Sequence, residues 1–385
     1  MIRRPSKRVI FLSVILLFGA LVLIAREHRP SFLLPGLHLN AYVSSTDGNV
    51  TVIDLVKLGA VARVAIGPGL SGMREHPTRS EVWGVSSQGG YIWILDARSN
   101  QIVARVPVGP LPYALDFSAD GNRAYVTSSA SDSLLAIDCK TRAIVARGRT
   151  GGEPVLARVT PDGKSILVVN HRDATLGVHD AATLQLRRTM PVVDRPDEVT
   201  VASDSTIAFV LSRSEPQLSV VDLRRSVLLT NLQLAGNPSQ MLLKPDGGEL
   251  YVISPGSHGL QVINTWTYEV GDYVLLGSAP TRGVLLPDAS TLFVSDTAAG
   301  RITPLDIFNR RVSRPIEAGQ SPVALRFESV GSEEKPSLLL VVNQASSDLS
   351  VIRVRSDSQT LLTMIPVGQV PGDLAIKLFS DARDR

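Results

Sequence analysis

The sequence predicts an all-β fold: a single β-propeller, a closed ring of four-stranded sheets, preceded by an apolar N-terminal transmembrane or signal helix. Three observations predict it. A 42-residue internal repeat runs through most of the 385 residues. Each repeat reads as short β-branched and aromatic runs parted by tight turns. The strand missing from the first repeat reappears at the C terminus, so the array can close.

The leader comes first. Residues 9–25, VIFLSVILLFGALVLIA, form an uncharged apolar run preceded by Arg3, Arg4, Lys7 and Arg8. A basic flank before such a run is an export signal. At a helical rise of about 1.5 Å per residue the run reaches roughly 25 Å, slightly short of a hydrocarbon core. No small-x-small pair closes it, since Ala25 follows Leu23 and Ala20 follows Phe18 at that spacing. We therefore expect an uncleaved anchor, with the bulk of the chain on the periplasmic or extracellular side; a cleaved signal peptide is the alternative. The expected division is a signal-anchor at 1–29, a linker at 30–40, a propeller at 41–379 and a polar tail at 380–385.

The formal charge of +3 would suggest an anionic partner for the whole chain, but six of the 39 basic residues lie in residues 1–29 against Glu27 alone. The remainder carries 33 basic and 35 acidic residues, so no net basic field attracts phosphates, and nucleic acid is excluded as a partner. A lone Cys139 excludes an intramolecular disulfide, a CxxC metal site and covalent haem attachment.

Several residue types share the period. Asp54, Asp96, Asp138, Asp180, Asp222 and Asp306 keep it, with Asn264 in the skipped slot. Pro112, Pro154, Pro196, Pro238, Pro280 and Pro322 keep it without a gap, and so do Asp120, Asp162, Asp204, Asp246 and Asp288. In the unit that starts at Pro112, strands are expected near 113–117, 123–128, 133–138 and 143–148. Asp120-Gly121 reads as a two-residue hairpin turn with positive backbone dihedrals. Runs such as SILVVN (165–170) are almost wholly apolar because both faces of a blade pack on neighbours.

At the ends, the first unit offers strands near 41–45, 50–54 and 61–66 but no inner strand. PGDLAIKLF (371–379) supplies one, with only SDARDR after it. The ring then has eight blades; seven is the alternative if the first unit is not a blade. The last full unit departs from the pattern, with an insertion around 331–337 and Arg353 in the aspartate slot.

The segments AYVTSSASDSLLAID (124–138), LYVISPGSHGLQVIN (250–264) and AYVSSTDGNVTVID (41–54) resemble the YVTN-type β-propeller repeats of bacterial and archaeal exported and surface-layer-like proteins. The resemblance covers nearly all of 41–379. It implies the fold, but the family hosts binding, surface and cofactor-associated roles, so it leaves function open. It also brings in lactonase-like propellers and the eight-bladed haem-binding propeller of bacterial nitrite reductases as related architectures.

No HExxH, CxxC, GxSxG or phosphate-loop motif occurs. GPGLSG (67–72) fits GxGxxG, but it stands between blades with no helix to follow, and reads as a connecting turn. The repeat points instead to the channel face. Counting from each proline slot, positions three and five on are mostly apolar and face the neighbouring blade. Positions two and four on face the axis and include Arg74, Asp116, Arg158, Glu198, Gln240, Arg282, Arg326 and Asp373. Arginines so arranged suit a carboxylate or phosphate, bound by forked charge-assisted hydrogen bonds. The plainer reading is that these arginines and acids pair with one another around a wet axis. His171 and His258 fall on turns of the same face, and His171 is the candidate metal or haem ligand among the histidines, against a reading as a solvated turn residue. His28 and His38 belong to the leader and linker, and His76 and His179 sit in or beside strands. The recurring strand-end aspartates are expected to accept backbone hydrogen bonds in their turns, since a residue every blade needs is not catalytic.

These readings combine into a monomeric, exported and anchored scaffold without catalytic residues, metal or resident cofactor, binding a small anionic ligand or a protein partner at its channel face. The alternative is a lactonase-like hydrolase or a haem- or cofactor-binding propeller using the same face.

Overall fold

Four short runs of β-branched and aromatic residues per unit, each ended by a turn residue, fold back on one another as an antiparallel blade. The computed structural model describes residues 36–329, 337–355 and 358–381. Within them eight such sheets follow one another. Blade 1 joins Leu37–Ser45, Asn49–Asp54 and Gly59–Ala65 to the C-terminal Pro371–Ser380. Blades 2 to 8 are continuous in sequence, and their inner strands are Leu70–Glu75, Pro112–Phe117, Pro154–Val159, Glu198–Val201, Gln240–Leu243, Pro280–Leu285 and Pro322–Glu328. Each inner strand touches the inner strand of the next blade, and that of blade 8 touches Pro371–Ser380. The ring closes with eight blades, and the seven-blade alternative falls.

The clasp is longer than the sequence suggests. Pro371–Ser380 pairs along its length with Leu37–Ser45, from Ser45 opposite Pro371 to Leu37 opposite Ser380. The first strand therefore starts inside the stretch 30–40 expected as linker, because the C-terminal strand runs on to Ser380 and needs partners there. His38 accordingly lies in the strand, 2.8 Å from Asp381 and stacked on Phe379 at 5.2 Å.

In blade 3 the other strands are Arg123–Ser128, Ser133–Asp138 and Ile144–Arg149, within a residue of expectation. The turn at Asp120-Gly121 differs. Only Gly121 has positive φ, at 70°. Its N–H donates to Ser118 at 2.9 Å, and the Ser118 N–H donates to Arg123 at 2.9 Å. This is a type I turn followed by a left-handed glycine, and not a two-residue loop. Asp120 stays right-handed because its carboxylate accepts from Ser118 Oγ at 2.6 Å and from the Asn122 N–H at 3.0 Å.

The strand-end aspartates act as the repeat requires. Asp138 Oδ1 accepts the N–H groups of Lys140 and Thr141 at 3.0 and 2.7 Å. Asp54, Asp96 and Asp180 repeat this, and Asn264 does so with its amide oxygen, which is why asparagine is tolerated there. Each of these turns closes on a left-handed residue, at Leu58, Asn100, Arg142, Leu184, Ser226, Tyr268 and Arg310, once per 42 residues. A bulge follows in most blades, as between Ala136 and Ile137.

Hydrophobic burial lies between blades. Trp83, Ile92 and Ile94 of blade 2 pack with Leu115, Val126 and Leu135 of blade 3 in one cluster, and Trp83 meets Phe117 edge-on at 5.5 Å. Burying an indole removes roughly 200 Å² of apolar surface from water, about 5 kcal/mol before ordering costs. Outer strands such as Gln101–Pro107 alternate between half-buried and exposed, as one-sided strands do. The apolar run 9–25, most of the insertion around 331–337 and the tail beyond Asp381 lie outside the described residues. Among the described residues no helix is long and apolar enough to cross a membrane.

Candidate functional site

An inner strand runs from the face where blades connect to the opposite face, so the interblade connections and the turns after each second strand share one face, here called the mouth. Alternation along the strand turns every second inner residue to the axis. Asp116 of blade 3 stands between two arginines, 3.6 Å from Arg158 of blade 4 and 3.8 Å from Arg74 of blade 2. Glu198 of blade 5 lies 3.4 Å from Arg213. These contacts bring Arg74, Asp116 and Arg158 together, with Glu198 and Arg213 on the adjoining blade.

The acids have a second task. Asp116 accepts the Val159 N–H at 3.1 Å, Asp373 accepts the Met73 N–H at 2.7 Å, and Glu198 accepts that of Met241. Gln240 accepts the Gly283 N–H at 2.7 Å and donates to the Gly283 carbonyl at 3.3 Å. Each donor lies on the inner strand of the next blade, which has no sheet partner on its axial side, so these four side chains tie inner strand to inner strand.

His171 belongs to a similar series. It follows the second strand of its blade, as Ser129, Arg213 and Gln344 do in theirs. Ser129 donates to the Pro154 carbonyl at 3.0 Å, His171 Nδ1 sits 3.2 Å from the Pro196 carbonyl, Arg213 donates to that of Ser239 at 3.2 Å, and Gln344 to that of Pro371 at 3.5 Å. His171 is thus a tie to the next blade, apart from the arginines of the axis. Arg213 escaped the sequence reading, although its place 42 residues after His171 is the signal that marks it.

The arginines are not all neutralised. Arg282 donates to the Ser239 carbonyl at 2.6 Å, and Arg326 to the Leu325 carbonyl at 3.1 Å. Neither forms an ion pair with a described carboxylate, whereas Arg74, Arg158 and Arg213 each do. Burial pushes the Glu198 carboxyl up, against the pull of Arg213, Arg282 and Arg158. Burial and the nearby Arg213 bring Arg282 below its ordinary value, and burial does the same to Arg158; guanidinium groups so placed stay charged. Five arginines (74, 158, 213, 282 and 326) stand with Asp116, Glu198 and Asp373 toward the mouth, while Glu75 and Glu328, the first acting on the second, add acidic groups farther along the inner strands.

The remaining candidates sit elsewhere. His258 is at the mouth with Nδ1 2.7 Å from the Ser278 carbonyl. His76 and His179 are fully buried in the body. Burial pushes the Cys139 thiol up to about 12. GPGLSG joins the outer strand of blade 1 to the inner strand of blade 2, with no helix. Among the described residues no group of three histidine, cysteine or acidic side chains is arranged to hold a metal ion.

A family model described as YNCE-like beta-propeller matches residues 88–290, or 203 of the 385 residues. No curated protein matches the sequence. Among solved structures, the dihydro-heme d1 dehydrogenase NirN in complex with DHE is similar over 90% of this chain and 77% of its own, at 18% identity and a TM-score of 0.73. The hydrazine synthase of Kuenenia stuttgartiensis is similar over 74% of this chain and 96% of its own, at 19% identity and a TM-score of 0.58. A functionally unknown protein from Desulfotomaculum acetoxidans is similar over 72% and 95%, at 14% identity and a TM-score of 0.56. At these identities the likeness is one of fold.

Proposed function

The chain belongs to the YNCE-like β-propeller family, and from that premise we propose that it is a noncatalytic binding propeller whose mouth takes a small anionic ligand. One observation carries this reading: Arg282 and Arg326, on the inner strands of adjacent blades, form no close ion pair with a described carboxylate, Glu198 and Asp373 acting on Arg282 only from farther off. Guanidinium forks in such a recess suit a carboxylate or a phosphate. Asp116, Glu198 and Asp373 are engaged by backbone N–H groups of the next blade, which supports a binding role over acid–base chemistry. The basic flank and apolar run at 9–25 support display outside the cytoplasmic membrane on an uncleaved anchor.

Calorimetric titration of the full chain with citrate and with inorganic phosphate tests the site. Binding should weaken about tenfold or more in Arg282→Gln and Arg326→Gln, each of which loses charge-assisted bonds, and hold in Arg98→Gln at the far face. No heat with any small anion, or equal binding by all variants, would reject the reading.

A second reading, a haem-type cofactor at the same mouth, draws on the likeness to NirN, whose name places a dihydro-heme d1 with that protein. In this chain the axis-facing positions of the described inner strands offer no histidine, cysteine or methionine. The mouth imidazoles, His171 and His258, are tied to backbone carbonyls through Nδ1 and present Nε2 as acceptor. A bound tetrapyrrole would therefore take its protein ligand from a turn. Protein purified from a haem-competent host separates the two readings: a visible absorption band abolished by His171→Ala or His258→Ala would favour the cofactor.

A further inference from the structure

On the face opposite the mouth, blades 6 and 7 carry the two most exposed aromatic side chains among the described residues, Trp266 at 77% and Phe308 at 91%. They occupy the same slot, two residues after the strand-end Asn264 and Asp306. Blades 1 to 5 place Val56, Arg98, Lys140, Ala182 and Arg224 there. The Trp266 ring lies over Gly248, where a Cβ would come within 3.4 Å of it. Beside Phe308 a groove of about 480 Å³ opens between the two blades, lined by Lys244, Asp246, Glu249, Asp288 and Arg310 among others.

The local architecture does not require the exposed rings. Arg310 binds Glu249, lies 3.0 Å from Asp272 and stands over Tyr251 at 5.9 Å. Half a ring away, 168 residues earlier, Arg142 pairs with Glu81 at 3.1 Å and Trp83 donates to Glu81 at 2.8 Å. The same lock forms there, yet its exposed slot holds Lys140. Phe308 and Trp266 are thus additions to a lock that stands without them, and large apolar rings in water mark a contact surface.

Charge selects the occupant. The groove and its edge hold Asp246, Glu249, Asp272 and Asp288 against Lys244 and Arg310, an excess of two negative charges. Both cations are committed: Lys244 lies 2.9 Å from Asp246, and Arg310 is held by its two acids. The Asp288 carboxylate is met by the N–H and hydroxyl of Ser290, at 2.9 and 2.8 Å, which leaves its charge uncompensated. We propose that this groove docks a cationic peptide segment of a partner protein, its arginine or lysine side chains stacked on Phe308 and Trp266 and paired with Asp246 and Asp288.

Trp266 is a built-in reporter, because Trp83 and Trp93 are fully buried. Acrylamide quenching of tryptophan emission from the full chain should fall on titration with a hexa-arginine peptide, and salt should reverse the effect. Hexaglutamate should leave it unchanged. The double variant Asp246→Asn, Asp288→Asn keeps the turn acceptors and should bind the peptide about tenfold more weakly at low salt, and Phe308→Ser should also weaken it. Absence of protection, protection by hexaglutamate, or equal protection in the double variant would overturn the proposal. So would protection that grows with protein concentration alone, which would assign the groove to a second copy of the chain.

Discussion

Asp373 accepts the backbone N–H of Met73 at 2.7 Å, a bond between residues 300 positions apart that ties the C-terminal strand to the blade after it. The same strand pairs with Leu37–Ser45, so it serves two blades at once. Deleting residues 371–385 should expose an unpaired edge on blade 1 and replace the single denaturant transition with a broad one. Asp373→Ala should cost about 1.5–3 kcal/mol, the range for a hydrogen bond to a charged group, and Asp373→Asn much less because the acceptor survives. A truncated chain that unfolds like the parent would show that the clasp is dispensable.

Asp138 provides a test of the repeat itself. Its carboxyl is held below the usual range, chiefly by the Thr141 N–H and hydroxyl. The stabilisation it brings is therefore present above the unfolded-state value and lost as pH falls through the folded one. Asp138→Ala should cost about 1 kcal/mol near neutrality and less once the carboxyl is protonated, when only a neutral oxygen is left to accept. Asp138→Asn keeps the oxygen acceptor, as Asn264 does in blade 6, but lacks the charge, so it should cost less than alanine near neutrality and converge on the parent in acid. Urea melts of the two variants across the acid range measure this; a large penalty for asparagine would mean that charge, and not the oxygen acceptor, matters.

The blade count, the clasp and the axis-facing residues were legible in the sequence because each is periodic, and a position repeated every 42 residues declares its own register. The dipeptide Asp120-Gly121 fits both a two-residue loop and the end of a type I turn, and the Ser118 side chain, bonded to Asp120, decides for the second. Leu37 to Asn40 read as linker because their pairing partners lie more than 330 residues away. Of the mouth, the sequence showed which side chains face the axis but not that Asp116, Glu198, Gln240 and Asp373 hold the next blade, since those bonds run to backbone atoms, which carry no sequence mark.

Glu198 sets burial against three arginines, and burial wins: its carboxyl is pushed up. A raised folded-state value means the native protein binds the proton more tightly than the unfolded chain does. Its contribution to stability then falls as pH rises from the ordinary carboxylate value through the folded one, and is flat above. Glu198→Gln lacks this decline, so the variant should gain on the parent across that window and be at least as stable at pH 7. Paired melts at acid and neutral pH give the sign. If the parent gained on the variant as pH rose, the attraction of Arg213, Arg282 and Arg158 would outweigh desolvation.

Backbone strain recurs at the blade connections of the mouth. Leu111, Glu153, Arg195, Ser321 and Val370 all have φ between 45° and 55° and each immediately precedes a proline. A left-handed conformation costs a non-glycine residue about 1–2 kcal/mol, and a following proline narrows the choice further. Leu111 is half exposed, so its side chain repays little of that by burial. Leu111→Gly should therefore stabilise the protein by up to about 1 kcal/mol, after the extra freedom glycine gives the unfolded chain. The corresponding change at Gly121, Gly121→Ala, should destabilise for the same reason and also because its Cβ would come within 2.9 Å of His76. Thermal melts of the pair should move in opposite directions; a Leu111→Gly variant that melted lower than the parent would mean that the exposed leucine contributes a contact worth more than the strain it carries.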